Sequence, residues 1–285
     1  TFGPALCARF FFPFHQRYTA GLYRGLAAQD PQKSPRREPG YNPTYRYPVG
    51  GLDVLIRGLA EPVDLRCAMA VTAIDLEAES LHLADGSEHR YADLVSTLDP
   101  MATLALCGAK GEAAVARLGE PDPFTSVLVS NLGGQRGPAC PDDHWIYDPE
   151  SRSGSHRYGI YSNVDASFVP REDPDRVAIY VEHGFRGGDR PSPQAAASIL
   201  QADVRELQDR GVLGEVEVAD PSWVEVAYTW RRPGSTWATD AASALAAVGV
   251  TQVGRYGRWH FQGIAESIGE GLAVGASLVA DRSMA

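Results

Sequence analysis

The sequence predicts an α/β fold that carries an α+β insertion. Three observations favour this fold class. A glycine pair at positions 50 and 51 opens an amphipathic helix, and short strands follow it up to residue 100. The middle of the chain is rich in β-type segments and contains one clear helix. The last part returns to a strand, a glycine-rich turn and a long helix, which indicates one domain interrupted by another block.

The composition is that of a globular protein with a sizeable core. The chain has 285 residues, of which 44% are hydrophobic and 22% charged, and this length corresponds to roughly two domains. A formal net charge of −10 argues against a nucleic acid as the main partner. No apolar run reaches the roughly 18 residues of a membrane-spanning helix. Four widely spaced cysteines without a pattern are typical of reduced thiols, which predicts a cytoplasmic protein.

Residues 1–44 are predicted to be a helical segment that ends in a loop. A helix with a wide aromatic face covers 2–12, and Pro13 kinks or ends it. Prolines and a basic cluster make 28–43 a loop. The chain enters apolar sequence directly after Thr1, so we expect a fragment, a processed chain or one subunit of a split protein.

Residues 45–100 are predicted to form a turn, a helix and a small antiparallel ribbon. Leucine and isoleucine at helical spacing follow the Gly-Gly turn. Asp85-Gly86 is typical of a hairpin. The predicted elements are a turn at 47–51, a helix over 52–59, strands at 63–74 and 81–83, and a returning strand at 89–97 whose end, 94–97, is buried.

The rest of the chain is predicted to contain further strands and three helices. Helical spacing predicts helices over 193–210 and 239–248, and a final helix over 263–280. Three glycines of the final helix resemble a dinucleotide-binding loop only superficially, because no second strand with an acidic residue follows them. They predict close packing on a neighbour instead. Strands are predicted at 124–132, 145–147, 157–163, 176–183, 223–230 and 250–253.

Two other kinds of site are not predicted. Cys140 and His144 have the spacing of half a metal site, but no second Cys/His pair lies at zinc spacing, so no metal is expected. The chain contains no Gly-x-Ser-x-Gly motif, which argues against a serine hydrolase.

Three segments together carry a resemblance to a known superfamily. In order and spacing they resemble the Phe-x-x-Pro-Tyr-x-x-Lys-x-Trp-Gly segment, the Tyr-Pro-x-Gly-Gly turn and the C-terminal Gly-Arg-Tyr-Gly-x-Trp flavin motif of the FAD-dependent amine oxidase, protoporphyrinogen oxidase and UDP-galactopyranose mutase superfamily. The resemblance covers essentially the whole chain, closely in 1–100 and 250–280. The segments are Phe12-Pro13-Phe14-His15-Gln16-Arg17-Tyr18, Tyr47-Pro48-Val49-Gly50-Gly51, and Gly254-Arg255-Tyr256-Gly257-Arg258-Trp259 with its continuation to Ile268.

The resemblance implies the C-terminal portion of a two-domain, Rossmann-like FAD-binding flavoprotein. It assigns 1–44 to the substrate side, 45–100 and 248–285 to the FAD-binding domain, and 101–247 to a β-rich substrate domain. The superfamily's opening strand, Gly-x-Gly-x-x-Gly loop and ribose-binding acid have no counterpart in the chain. We therefore expect a second polypeptide, or a further part of a longer protein, to supply that half.

Eight residues are implied to contact FAD. Glycines at 254 and 257 let the backbone approach a ligand, and Arg255 offers a charge for the pyrophosphate or a flavin carbonyl. The N-terminus of the last helix favours an anion. The superfamily's Met-Asp pair falls on Ile264 and Ala265, so only main-chain contacts carry over there. Val71 fits an adenine-bracketing strand and an ordinary strand valine equally well. The implied residues are Gly50, Gly51, Val71, Gly254, Arg255, Gly263, Ile264 and Ala265.

The implied substrate side combines arginine with aromatic residues. Such a set suits an anionic or sugar-linked small molecule, although each residue also fits an ordinary core aromatic or solvated arginine. Catalytic residues vary between branches of the superfamily, so none is assigned. The implied substrate-binding residues are His15, Arg17, Tyr18, Tyr228 and Arg231.

Three functions remain open from the sequence. The first is a FAD-dependent oxidoreductase that moves a hydride from a small-molecule substrate to the flavin. The second is a mutase-like flavoenzyme that uses reduced flavin on a sugar nucleotide. The third is a non-catalytic partner subunit of a flavoprotein, favoured by the absent Gly-x-Gly-x-x-Gly half.

Overall fold

The computed structural model describes residues 47–284. The helix predicted over 2–12 and the loop predicted over 28–43 lie outside the described residues. The described chain is a mixed α/β structure, as predicted, and its strands form a three-stranded, a two-stranded and a five-stranded sheet. Within 47–284, no helix combines the length and the apolar character that crossing a bilayer requires.

The described helices and strands follow one another along residues 47–284. The helices are α1 (Leu52–Ala60), α2 (Pro100–Leu106), α3 (Gly108–Val115), α4 (Tyr161–Val164), α5 (Pro193–Asp209), α6 (Trp237–Ala246), α7 (Gly254–Gly257) and α8 (Ile264–Met284). The strands are β1 (Val71–Asp75), β2 (Ser80–Leu83), β3 (Glu88–Arg90), β4 (Leu94–Ser96), β5 (Phe124–Arg136), β6 (Trp145–Tyr147), β7 (Arg157–Ile160), β8 (Arg176–Arg186), β9 (Leu213–Thr229) and β10 (Val250–Gln252).

The ribbon differs from its prediction in two places. The strand predicted over 63–74 begins only at Val71, because Ala68 has a φ of 57° that interrupts the extended backbone. The single strand predicted over 89–97 is wrong. β3 pairs antiparallel with β2, whereas β4 pairs in parallel with β10. The predicted burial of 94–97 is also wrong, since Val95 is 40% exposed.

Helices α2 and α3 were not predicted. The Asp99 carboxylate accepts a hydrogen bond from the Ala102 N–H at 2.8 Å, and Pro100 occupies the first helical turn. Both residue types favour these positions at a helix N-terminus. The sequence pattern treats Asp99-Pro100 as the close of the ribbon, whereas the structure uses the pair to start a helix.

The chain divides into two compact units. Among the described residues, the first unit comprises 47–63, 130–182 and 199–220. Its core forms where alternate residues of β7 and β8 pack against one face of α5. The buried members include Ile160, Ile179, Val181, Leu200, Val204 and Leu207.

The second unit comprises the described residues of 64–129, 183–198 and 221–285. One core cluster joins the ribbon to α2, α6 and β10 through Ile74, Leu104, Leu245 and Val250. A second cluster places the Trp237 and Trp259 rings edge-to-face, with centroids 5.6 Å apart.

The five-stranded sheet has the order β6-β7-β8-β5-β9.

Candidate functional site

The Gly-Gly turn forms as predicted at the start of α1. Gly50 and Gly51 have φ values of 88° and 98°, a region that favours glycine. The Gly51 N–H donates to the Pro48 carbonyl oxygen at 3.0 Å, which closes the turn. The turn therefore explains why both positions are glycine. Their predicted contact with a cofactor stays a prediction.

Val71 lies at the start of β1, opposite Leu83. Its side chain packs against the cluster around Ile74 and Leu104. This is the environment of an ordinary strand valine, so the side chain needs no ligand to explain it. The predicted backbone contact with an adenine stays a prediction.

The Gly254–Gly257 helix α7 follows strand β10 directly. Gly254 has a φ of 79°. At Gly257, a Cβ atom would lie 2.6 Å from the Gln252 side-chain amide and 3.0 Å from the Ser96 carbonyl oxygen. Glycine at 257 therefore lets α7 approach the end of β4 closely. The sequence predicted this backbone approach toward a ligand, and the described neighbours are protein atoms.

Arg255 is enclosed by aromatic rings. Its guanidinium carbon lies 4.5 Å from the Phe261 ring centroid, 5.7 Å from that of Tyr228 and 5.9 Å from that of Tyr256. Its Nη2 donates to the Ala227 carbonyl oxygen at 2.6 Å. The structure thus brings together Arg255, predicted for the cofactor, and Tyr228, predicted for the substrate.

One nitrogen of this guanidinium has no acceptor. The Arg255 Nε atom is buried and makes no hydrogen bond within the described residues. A buried charged donor without a partner is costly, by more than the roughly 1–3 kcal/mol typical of neutral groups. The site therefore fits an acceptor that the described residues do not include, such as an oxygen of a bound group.

Glu270 is a site residue that the sequence reasoning missed. Its Oε2 accepts hydrogen bonds from the Gly254 N–H at 2.9 Å and from the Gln262 side-chain amide at 3.1 Å. Its Oε1 lies 3.3 Å from a nitrogen of Arg258. One carboxylate on α8 thus holds both ends of the 254–262 segment. The i,i+4 spacing of Glu266 and Glu270 at the start of the final helix was the available signal.

The predicted anion site at the start of α8 already contains a carboxylate. Glu266 Oε2 accepts from the Gly263 N–H at 2.5 Å, and the Ser267 hydroxyl donates to the Gly263 carbonyl oxygen at 2.9 Å. The Glu266 bond is the return half of a capping box, whose other half glycine cannot make. A ligand oxygen at the Gly263 N–H would have to displace Glu266. Ile264 and Ala265 are exposed beside it.

The predicted substrate residues are only partly described. His15, Arg17 and Tyr18 lie outside the described residues. Arg231 is exposed and lies two residues after the end of β9, and none of the described carboxylates forms an ion pair with it. Its neighbour Arg232 does pair, with Glu120 at 2.5 Å.

Comparison with known proteins gives a fold but no close relative. No protein-family model and no curated protein matches the sequence. The chain is similar to the solved structure of reduced UDP-galactopyranose mutase, with a TM-score of 0.59 and 18% identity over 74% of this chain and 47% of that one. It is also similar to a protein described as a protoporphyrinogen oxidase, from Exiguobacterium sp. 255-15, with a TM-score of 0.58 and 13% identity over 86% of this chain and 54% of that one.

These similarities show the fold. The superfamily resemblance that the three sequence segments predict is confirmed at that level. The chain spans about half the length of each of the two proteins.

Proposed function

We propose that this chain is the C-terminal portion of a FAD-dependent oxidoreductase. The observation that carries the proposal is the buried Nε of Arg255, which lacks an acceptor at the turn that follows β10. The superfamily resemblance implies flavin at that turn. The shared fold supports the same assignment without identifying a substrate. We also propose that the protein is cytoplasmic and heteromeric.

The chain's own residues would bind and orient the cofactor. Bound FAD would supply the hydride acceptor. Arg255 would donate from its Nε to a cofactor oxygen, while its aromatic surroundings restrict the guanidinium to one place. Glu270 would hold the 254–262 segment in position through its hydrogen bonds to both ends. Tyr228, whose ring centroid lies 5.7 Å from the Arg255 guanidinium carbon, would be a substrate-side candidate.

We further propose that an N-terminal half extends the parallel pair of β4 and β10. Each of these strands has only three residues, and none of the described strands pairs with the remaining edge of either. Parallel sheets are normally larger and covered on both faces. A parallel strand from a Gly-x-Gly-x-x-Gly half would supply the missing neighbour.

Helix α8 supports the same partner. Leu272 and Val279 are 68% and 67% exposed. A Cβ built at Gly269, Gly271 or Gly275 meets no described atom within 4 Å. The close neighbour that the sequence predicted for these glycines is therefore absent from the described residues. A second polypeptide, or further sequence of a longer protein, would provide it.

Substitution of Arg255 tests the cofactor assignment. In the complete assembly, Arg255→Ala should weaken FAD retention roughly 10- to 150-fold, because a charge-assisted hydrogen bond is lost. Arg255→Lys should be intermediate, since lysine keeps the charge but not the planar donors. Arg90→Ala, at an exposed position on β3, is the control. FAD retention that is equal in all three variants would count against the assignment.

A mutase-like reaction is the second candidate. The TM-score of 0.59 with reduced UDP-galactopyranose mutase is the observation that favours it. Such an enzyme would need reduced flavin and would cause no net oxidation of its substrate. Turnover in the presence of dithionite, without oxygen uptake, would favour the mutase. Substrate-dependent bleaching of oxidised flavin would favour the oxidoreductase.

A further inference from the structure

Two rows of side chains share one face of the sheet formed by β6, β7 and β8. Directly opposite residues of antiparallel strands lie on the same face. The intervening residues Tyr158 and Val181 face the core cluster with α5, so the two rows lie on the other side of the sheet. The first row is Trp145, Gly159 and Tyr180, and the second is Tyr147, Arg157 and Glu182.

The Tyr147 ring is held in place from one side. The Arg157 guanidinium carbon lies 5.7 Å from the Tyr147 centroid and 5.8 Å from the Tyr180 centroid. Arg157 in turn donates to the buried Glu182 carboxylate at 2.5 Å. A Cβ at Gly159 would fall 2.2 Å from the Tyr180 ring, so glycine makes room for this arrangement. Such preorganisation lowers the entropic cost of binding.

Two aromatic rings of β6 remain accessible. Trp145 is 45% exposed and Tyr147 is 64% exposed. They are two residues apart on one strand, which separates their Cβ atoms by roughly 7 Å. Among the described strands, β6 also lies at the edge of its sheet. Large exposed aromatic residues on an edge strand promote aggregation. Their presence on β6 therefore indicates a functional role.

Two carboxylates lie close to these rings in the sequence. Burial opposes ionisation of Glu182, but hydrogen bonds from His156 and Arg157 outweigh it and lower its pKa. Glu182 therefore stays ionised and neutralises Arg157. Asp143 precedes Trp145 by two residues and Glu150 follows Tyr147 by three, and neither forms an ion pair with another described residue. Asp143 and Glu150 therefore add negative charge to the segments that flank β6.

We propose that Trp145 and Tyr147 form a binding site for an organic ammonium ion. Electron-rich ring faces attract such cations, and tryptophan does so most strongly. Asp143 and Glu150 would add long-range attraction. The ligand class is therefore a small amine or quaternary ammonium compound. This proposal goes beyond the flavin assignment and holds whether or not FAD binds.

The site can be tested with tetramethylammonium chloride as the probe and tert-butanol as its neutral counterpart of similar shape. Binding to the full chain is followed through the Trp145 indole N–H signal, assigned with Trp145→Phe, at constant ionic strength. We expect saturable binding of tetramethylammonium and none of tert-butanol. Equal responses to tetramethylammonium and tert-butanol would overturn the proposal. Binding of methyl glucoside in the absence of tetramethylammonium would also overturn it.

Variants then separate the contributions of the rings and the charges. Trp145→Leu and Tyr147→Leu should each weaken tetramethylammonium binding roughly 2- to 30-fold. Val218→Ala, at a residue that is 59% exposed on β9 in the same unit, should leave it unchanged. The double variant Asp143→Asn with Glu150→Gln leaves the rings intact and should weaken binding at low salt only. Unchanged affinity in the ring and charge variants would overturn the proposal. The proposal would also be overturned if sedimentation showed a dimer of this chain that the Trp145→Leu and Tyr147→Leu variants do not form.

Discussion

Helices α5 and α8 use their apolar residues in different ways. α5 buries Leu200, Val204 and Leu207 in the core of its own unit. α8 is longer, yet none of its residues between 264 and 280 is buried. A helix with one apolar stripe can bury that stripe against its own chain. A helix with apolar residues on several sides needs further neighbours to bury them. The core around α5 is therefore complete within this chain, whereas we propose that a partner completes the surroundings of α8.

The largest expected effect is in the core under α5. Leu207 is 3% exposed, so Leu207→Ala should lower the free energy of unfolding by about 2–5 kcal/mol through lost burial and a cavity. Urea unfolding followed by circular dichroism measures it. A loss below about 0.5 kcal/mol would erase the contrast between the two helices.

An acid-dependent effect is expected in the same unit. Burial opposes ionisation of Glu206, but the backbone N–H groups of Arg152 and Ser153 outweigh it and lower its pKa to about 2. Since this pKa is below the unfolded value of 4.5, the stabilisation is present above about pH 4.5 and is lost as the pH falls toward 2. It amounts to at most about 3 kcal/mol.

Thermal unfolding checks this dependence on pH. Glu206→Gln should melt lower than the unmodified protein at neutral pH, and the difference should shrink on acidification toward pH 2. Glu215→Gln, at an exposed position of β9 in the same unit, is the matched control. A difference that stays constant with pH would contradict the role given to the carboxylate.

A smaller effect is expected at Glu270, which holds the turn before α8. Glu270→Gln keeps an acceptor for the Gly254 N–H but removes the charge that strengthens the bond. Hydrogen exchange at the Gly254 amide should accelerate about fivefold, the difference between charged and neutral hydrogen bonds. Glu88→Gln on β3 is the control. Unchanged exchange would show that Glu270 does not position the turn.

The smallest effect on folding is expected in α8. Leu272→Ala should change the free energy of unfolding of this chain by no more than about 0.5 kcal/mol, because Leu272 is 68% exposed. The same substitution should weaken assembly with the proposed N-terminal half, which sedimentation at several concentrations would detect. Strong destabilisation of the isolated chain would mean that α8 is already covered by its own unit.

Local signals in the sequence predict local structure well. The spacing of apolar residues predicts α1, α5 and α6, and Asp85-Gly86 predicts the hairpin between β2 and β3. The pairing of β4 with β10 could not be predicted, because more than a hundred residues separate them and three-residue strands carry too short a pattern. The aromatic surroundings of Arg255 likewise depend on a distant strand.

The candidate site was predictable as a set of motifs but not as a set of contacts. The turn at Gly254 and the helix after it are where the pattern places them. The Glu266 carboxylate at the Gly263 N–H and the three hydrogen-bonding partners of Glu270 follow from side-chain geometry that spacing alone does not fix. The exposed rings of Trp145 and Tyr147 gave no sequence signal beyond a short strand.

The most direct measurement is the absorbance spectrum and the polypeptide content of the protein purified from its native host through an affinity tag. We expect a flavin spectrum, FAD released on denaturation, and a Gly-x-Gly-x-x-Gly sequence in the purified material, on a second polypeptide or in a longer chain. A colourless, monodisperse protein that consists of this chain alone and takes up no FAD would contradict the proposal.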